Sequence, residues 1–389
     1  MSASKPLEGL RIISFEQFGA APYATMFLAD FGAEVIKVES AAGDYARQTG
    51  PQTLGEGDSL YFQCFNLNKK SVVLNLKDPG DRALFEELVV DCDAVVNNLR
   101  GSLPAKLGID YPALKAINPA IVCGHISAYG REGSRADWPG YDFLMQAEAG
   151  IMALTGDPDA EPTRVGLSMV DYMTGMMLAY GVMSAIHSAG RTGVGMDIDA
   201  SLFDTALHQL AYQGTWYLNE GIVTPRMPRA AHPSSTPVQL YRTEDGWIYL
   251  CCMNQNFWEL LLELLGREDL ARDPRFATMA DRQANRETLG GILDEQFAQR
   301  TSTAWMELLK GKIPAAPVRP LDEAVDNPFV AEAGMIKAVD HPSGRTLRFF
   351  ANPLKINGQR PAQRAAPALD EHGPSLRQAA QGGTGEQSA

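Results

Sequence analysis

The sequence predicts an α/β protein with a parallel sheet in a large domain, joined to a smaller α+β domain. Three observations predict it. Short apolar runs alternate with helix-patterned stretches through the first third of the chain. From Tyr141 the texture turns helical. A hairpin pattern, VQLYRTEDGWIYLCC, then stands apart with its own helices behind it. A chain of 389 residues is also longer than one compact core usually serves.

Taken in order, LRIISF (10–15) is a short, mostly apolar strand. GAAPYATMFLADFGAE carries helical spacing and stops near Gly32, as helices often do. EVIKVE (34–39) is the next strand. SVVLNL (71–76), a helix after the capping pair Asp78-Pro79, AVVNNL (94–99) and AIVCGHISA (120–128) repeat the pattern. Such repetition implies parallel strands covered on both faces, a Rossmann-like arrangement. Residues 40–70 show no clear periodicity and read as a long loop, of the kind that is functional or wraps something. YDFLMQAEAGIMALTG reads as one helix, and VDYMTGMMLAYGVMSAIHSAG as a long apolar helix ending at Gly190. MDIDASLFDTALHQLAYQGTWYLNE adds a short strand and one more helix.

Thr224 to Pro237 is rich in Pro and Arg and reads as a linker. In the hairpin, Glu244-Asp245-Gly246 supplies the turn. The expected boundaries are 1–224 for the first part of the large domain, 225–325 for the small one, and 326–389 for a return to the large domain and a tail. The tail is polar from Gln359, and its Gly-rich end, QGGTGEQSA, is expected to be mobile.

Charge and composition narrow the function. With 34 basic and 47 acidic residues the net charge is −13, and no dense basic stripe exists, which argues against nucleic acid. Lys69-Lys70, Arg100 with Lys106, and Arg131 with Arg135 are small basic groups, either solvated surface or local patches for an anion. No run approaches the roughly 20 apolar residues that span a membrane. The start, MSASKPLEGLRII, lacks the pattern of a secretory signal. Five cysteines without a CxxC pair read as free thiols in a reducing cytoplasm.

Familiar motifs are missing. Gly193-Val194-Gly195 follows a helix rather than a strand, so it is no dinucleotide fingerprint. GxxxxGK[ST], HExxH and GxSxG are absent, and no metal site is expected. His125, at a strand end, reads as a hydrogen-bonded structural histidine. Asp171 stands out, because Gly166-Leu167-Ser168-Met169-Val170-Asp171 leads into the long apolar helix and places the Asp in its first turn. One reading is a helix-capping aspartate. The other is a nucleophile: Met169, Met173, Met176 and Met177 offer a partly dry setting, and such a carboxylate attacks thioesters. Those methionines also serve as ordinary core filler. A helix N-terminus favours a negative charge, so Asp171 is expected to stay ionised.

Eight stretches run in one order: PLEGLRIISF, APYATMFLADFGAEVIKVE, NLNKKSVVLNLKDP, VVNNLRGSLPAKLGI, WPGYDFLMQAEAG, GLSMVDYMTG, GRTGVGMDIDASLFD and HPSSTPVQLYRTEDGWIYL. With them the chain resembles the class III CoA-transferases, a family with formyl-CoA transferase, carnitine CoA-transferase and the α-methylacyl-CoA racemases as relatives. The resemblance covers roughly residues 6 to 355.

It implies that Asp171 is the catalytic nucleophile, that coenzyme A is a substrate rather than a cofactor, and that two carboxylic acids exchange it. It implies coenzyme A contacts at Leu74, Lys77, Asn98, Leu99 and Lys106, and substrate contacts at Gly19, Tyr141 and Asp142. It also implies an interlocked homodimer. Where the racemases place a histidine, this chain has Tyr141, and a phenol of ordinary pKa near 10 is a poor α-proton base. Transfer is therefore expected over racemisation, with a non-catalytic coenzyme A binder as a further alternative. Phe18-Gly19-Ala20 stands where formyl-CoA transferases carry a glutamine, so oxyanion donors there would be main-chain amides. Pro233-Ser234-Ser235-Thr236 replaces their glycine-rich flap. Ser40 replaces a basic residue after EVIKVE, with Arg47 as its substitute. Arg47, Arg131, Arg135 and Arg164 are each candidates to meet a distal carboxylate.

Overall fold

The computed structural model describes residues 5–383. It divides into two compact units. One comprises Met1–Ala149, Gly166–Ala211 and Pro328–Ala389, the other Gly150–Val165 and Tyr212–Asn327. The second unit therefore starts before the expected 225 and takes in a separate earlier segment. The stretch read as one helix, 141–156, is broken at Gly150, whose φ is 87°, a value that no right-handed helix accommodates. It gives two helices, Asp142–Glu148 and Ile151–Leu154, on either side of the division. The stretch after Met196 is likewise split into helices Leu202–His208 and Ala211–Glu220, with Ala211 at φ 45°.

In the first unit, β1 (Arg11–Phe15), β2 (Glu34–Glu39), β5 (Lys70–Val73), β6 (Ala94–Asn97), β7 (Val122–Ser127) and β8 (Met196–Ser201) form a sheet. All its pairings are parallel, in the order β5-β2-β1-β6-β7-β8. The strand order reverses between β1 and β6, and such a switch point opens a crevice beyond the carboxyl ends of the strands. Segment 40–70 is not a plain loop. It holds a 3₁₀ turn at Tyr45–Gln48, a small hairpin of β3 (Thr53–Gly55) and β4 (Asp58–Ser59), and a helix at Leu60–Asn66 capped by the Ser59 hydroxyl.

The core follows from the patterning. Ile12 and Ile13 of β1, Val35 and Ile36 of β2, and Val95 of β6 are fully or almost fully buried. Each such side chain contributes about 1.5–3 kcal/mol. The helix Pro79–Val90 starts where Asp78 accepts from the Gly80 and Asp81 amides, and it buries Leu84, Phe85, Leu88 and Val89 as one stripe. The long helix Met169–Thr192 packs through small residues. A Cβ on Gly175 would lie 2.4 Å from the Ala20 carbonyl oxygen, so the helix Ala20–Asp30 can approach only because position 175 is glycine. A Cβ on Gly124 of β7 would meet Val182 at 2.7 Å, which seats the same helix on the sheet.

Also in this unit, β12 (Ile336–Asp340) pairs antiparallel with β13 (Thr346–Phe350). The tail is more ordered than its composition predicts as far as the helix Gly373–Gly383. Asp370 accepts from the Val73 amide at 2.7 Å and Arg377 donates to the Val73 carbonyl at 2.8 Å. These two contacts occupy the free edge of β5, which would otherwise offer unpaired backbone groups. Residues 384–389, where mobility is expected, lie outside the described residues.

The second unit holds a three-stranded antiparallel sheet of β9 (Val238–Arg242), β10 (Trp247–Cys251) and β11 (Ala315–Pro317). Its core of Trp258, Leu261, Leu262, Leu289, Leu293, Phe297 and Trp305 comes mainly from the helices behind the hairpin. Among the described residues, no helix is long and apolar enough to cross a membrane.

Candidate active site

The switch point in the first unit opens as a cleft of about 670 Å³ at the carboxyl edge of the sheet. Gly19 and Phe18 reach it from the turn after β1, Asn98, Leu99 and Arg100 from the loop after β6. Tyr141 and Trp138 close it from the loop after β7, and Asp171 from the first turn of the long helix. Sequence positions 19, 98, 99, 141 and 171 thus meet in one place.

Asp171 lies in the first turn of its helix. A Cβ placed on Gly19 would stand 3.5 Å from its Oδ2, so the backbone of that turn faces the carboxylate directly. Gly19 is the N-cap of the helix Ala20–Asp30, whose leading N–H groups have no partner within the helix. Among the described residues no group donates a hydrogen bond to the Asp171 carboxylate, so a lone pair is open to a substrate. The expectation that the helix terminus keeps Asp171 ionised is corrected. Burial, with repulsion from Asp142 adding to it, pushes its pKa from 3.8 up to about 7.

Asp142 lines no cleft wall. It is buried, and its Oδ2 accepts the Asp171 main-chain N–H at 3.1 Å while its Oδ1 accepts from Gln146 at 2.6 Å. It therefore holds the Asp171 backbone from behind, away from the cleft wall. Tyr141, 63% exposed, stands at the rim with its ring edge-on to Phe18, whose other face stacks on Tyr45.

The remaining coenzyme A positions divide. Leu74 and Lys77 line a neighbouring groove of about 210 Å³ after β5, which shares Gln17 and Leu99 with the main cleft. Lys106 lines neither. It is exposed on the helix Leu103–Leu107 and donates to the Ser102 hydroxyl at 2.8 Å. A larger cavity of about 800 Å³ opens at the opposite edge, lined by Glu34 and by the basic pair Lys69-Lys70, and none of the positions expected to contact coenzyme A or substrate lines it.

The arginines expected at carboxylates are mostly engaged. Arg47 is buried, bound to Glu39 at 2.7 and 2.8 Å and laid over the Phe62 ring, so it replaces no lost surface contact. Arg131 pairs with Asp197 and Asp199, and Arg135 with Glu148. Arg100 is instead the arginine that lines the cleft. His125 is buried between Asn97 and Asp197 at 2.8 and 2.9 Å, a structural tie between strands.

Tyr61 belongs near the site although nothing in the sequence patterning singles it out. Its hydroxyl lies 3.9 Å from a Cβ on Gly19, and burial pushes its pKa up to about 12. Ser59 followed by Tyr61, Phe62 and Phe65 is a capped helical pattern, and that signal is legible inside the stretch read as a loop.

An α/β switch-point cleft thus holds a partly dehydrated carboxylate beside a helix N-terminus, an arrangement with the chemistry that an acyl acceptor needs. The chain belongs to the CoA-transferase family III, whose family model matches residues 7–373. It is 36% identical over 378 residues to the acetyl-CoA:oxalate CoA-transferase of Acetobacter aceti, covering 96% of this chain and 95% of that one. It is 33% identical over 389 residues to the succinyl-CoA:mesaconate CoA-transferase of Haloarcula hispanica, covering 97% of each. The crystal structure of a CAIB/BAIF family protein from Brucella suis superposes with a TM-score of 0.83 at 35% identity, covering 97% of this chain and 100% of that one.

Proposed function

We propose that this family III CoA-transferase moves coenzyme A from an acyl-CoA to a carboxylic acid through covalent intermediates on Asp171. The observation that carries the reading is the Asp171 carboxylate, open on the cleft and facing the Gly19 backbone. In the first half-reaction an Asp171 oxygen attacks the thioester carbonyl and coenzyme A leaves as the thiolate, giving a mixed anhydride. The thiolate then attacks the aspartyl carbonyl of that anhydride. The donor acid departs, and an aspartyl-CoA thioester remains. The acceptor carboxylate runs the same steps in reverse and restores Asp171.

Each attack places negative charge on a carbonyl oxygen, which needs donors aimed at it. Main-chain amides of the first turn after Gly19 are the donors nearest to hand. Its raised pKa leaves Asp171 able to lose its proton in the neutral range. Coenzyme A would run along the carboxyl edge past Leu99 and Asn98 toward Leu74 and Lys77, with Lys106 as an outer point charge for phosphate. Both named relatives act on small dicarboxylates. Arg100 on the cleft wall suits acids of that class, with succinyl-CoA or another small acyl-CoA as donor. Tyr141 gives the cleft a phenol where racemisation would use a histidine. The working unit would be a homodimer, which would cover exposed apolar side chains such as Leu218 (81% exposed) and Val223 (74% exposed). Exposed apolar surface of that kind favours a partner.

Incubation with a panel of acyl-CoAs, quenching with hydroxylamine, and peptide mass mapping test the site. The expected result is a hydroxamate on Asp171 that appears only with donor. Turnover with a modification elsewhere sinks the assignment.

A further inference from the structure

We propose that Asp44 and Lys37, a buried ion pair, are positioning residues that hold the Glu16–Gly19 turn where Gly19 faces the Asp171 carboxylate. This rests on Asp171 being the acyl acceptor. The turn is a place where the backbone must be held. Phe18 has a φ of 57°. That lies in the left-handed region, where a Cβ crowds the following carbonyl. Such a residue is strained and persists where its surroundings over-determine it. The next residue, Gly19, caps the helix Ala20–Asp30 and faces Asp171 Oδ2. Relaxation of Phe18 to negative φ would swing that face away from the nucleophile.

The restraints come from strand β2 and the loop that follows it. The Phe18 N–H donates to Asp44 Oδ1 at 3.3 Å, and the Glu16 carbonyl accepts from Lys37 Nζ at 2.8 Å. Lys37 Nζ lies 2.9 Å from Asp44 Oδ2, both side chains being 0% exposed. Asp44 is itself fixed, because its Oδ1 accepts the Ala46 N–H at 2.9 Å and its own N–H donates to Glu39 at 3.0 Å. Between the two held peptides, Asn98 clamps Gln17 by accepting its N–H at 3.0 Å and donating to its carbonyl at 2.7 Å. Glu16 has its nearer partner in Lys69 at 2.7 Å and Lys37 Nζ farther off at 3.9 Å, so its carboxylate keeps an ion pair when Lys37 is replaced. A buried ion pair is weak evidence for stability, since apolar side chains of similar volume often serve as well. That makes its positioning role separable from folding.

The test is a cycle of variants of the full-length protein. Asp44→Leu with Lys37→Met removes both charges together and strands neither. It should fold, with an unchanged circular dichroism spectrum, and lose about 100-fold in kcat, the scale expected when reacting groups shift by about 1 Å. In the Phe18→Gly background, where positive φ carries little penalty, the same pair replacement should cost less than about tenfold. A structural role alone predicts wild-type kcat for the folded pair variant, or an equal loss in both backgrounds, and either overturns the proposal. Should the pair variant not fold, Asp44→Asn keeps an acceptor for the Phe18 N–H. It should show a smaller kcat loss that again shrinks with Phe18→Gly, and an unshrunk loss counts against the idea. Asp171→Asn is assayed alongside. Wild-type turnover there defeats the acceptor reading, whereas an inactive Asp171→Asn with an uncoupled cycle defeats the positioning proposal alone.

Discussion

Both units have an apolar core, but the first also buries a cluster of ions beneath its switch point. In the second, Trp258, Trp305, Phe297 and a set of leucines pack together, and the buried Arg282 donates to the carbonyls of Thr236 and Phe276 at 3.0 Å with its charge over the Trp258 ring. In the first, beneath the switch point, Glu16, Lys37, Glu39, Asp44, Arg47 and Lys69 are all buried. Burying each ion costs several kcal/mol, and mutual attraction only about offsets it. An apolar interior gives a unit its stability. A balanced ionic one gives little stability but fixes direction, since each hydrogen-bonded ion allows its loop a single placement. The second kind lies under the proposed nucleophile.

The sharpest way to break this contrast is at Asp171. Asp171→Asn should lower kcat by about 10³-fold or more, roughly 4 kcal/mol of transition-state stabilisation, without loss of folding. Steady-state turnover with chemical denaturation alongside checks both halves. Trp305→Ala does the reverse in the second unit. A buried indole that donates to the Phe297 carbonyl at 2.7 Å is lost. About 3–5 kcal/mol of stability should go with it, read from urea unfolding. A smaller effect is expected from Gly175→Ala. The new methyl meets a backbone carbonyl at 2.4 Å, which cannot rotate away. About 1–3 kcal/mol of overpacking should therefore appear together with reduced turnover. Gly19→Ala, at 3.5 Å from a side-chain oxygen, should leave stability near wild type and act on turnover alone. Equal stability losses at positions 19 and 175 would contradict the packing described for the two helices.

Periodicity reveals the sheet and its long helix because both obey local rules: β1, β2 and β7 are apolar runs, and the Met169–Thr192 helix carries one small-residue stripe. It does not reveal the breaks at Gly150 and Ala211, where a single positive φ overrides an otherwise continuous helical pattern. Apart from the capped helical pattern that starts at Ser59, segment 40–70 looks shapeless because its order is tertiary. Arg47, Ser59 and Gln63 are ordered by bonds to Glu39, Ala46 and Ala366, the last more than 300 residues away. At the site, Asp171 and Gly19 stand out in the sequence, while the ionic support does not. Nothing local distinguishes Lys37 or Lys69 from a solvated lysine, and only the fold brings carboxylates to them. The same blindness explains the wrong ionisation expected for Asp171. A helix terminus is visible in sequence, but the depth of burial and a second carboxylate 29 positions upstream are not.

The finest test of the contrast is a titration. With burial the larger cause and Asp142 the second, Asp171 is pushed up to about 7, so kcat/KM should rise with pH through the neutral range as the free enzyme's nucleophile ionises. Asp142→Asn removes the repelling charge yet keeps an acceptor for the Asp171 N–H. The rise should move to lower pH, but stay above the ordinary carboxylate range because burial remains. Folding must show the same linkage. The folded state holds the Asp171 proton more tightly than the unfolded chain does, so this group's stabilisation is present at pH values below about 4 and is lost as pH climbs through about 7. Asp171→Asn should therefore match wild type near pH 4 and exceed it at pH 8, by at most about 4 kcal/mol. A stability difference that stays flat from pH 4 to pH 8 would mean that the carboxylate is hydrated in the native state. Its field would then be screened like any surface charge, and the buried ions beneath it would have no dehydrated carboxylate to serve.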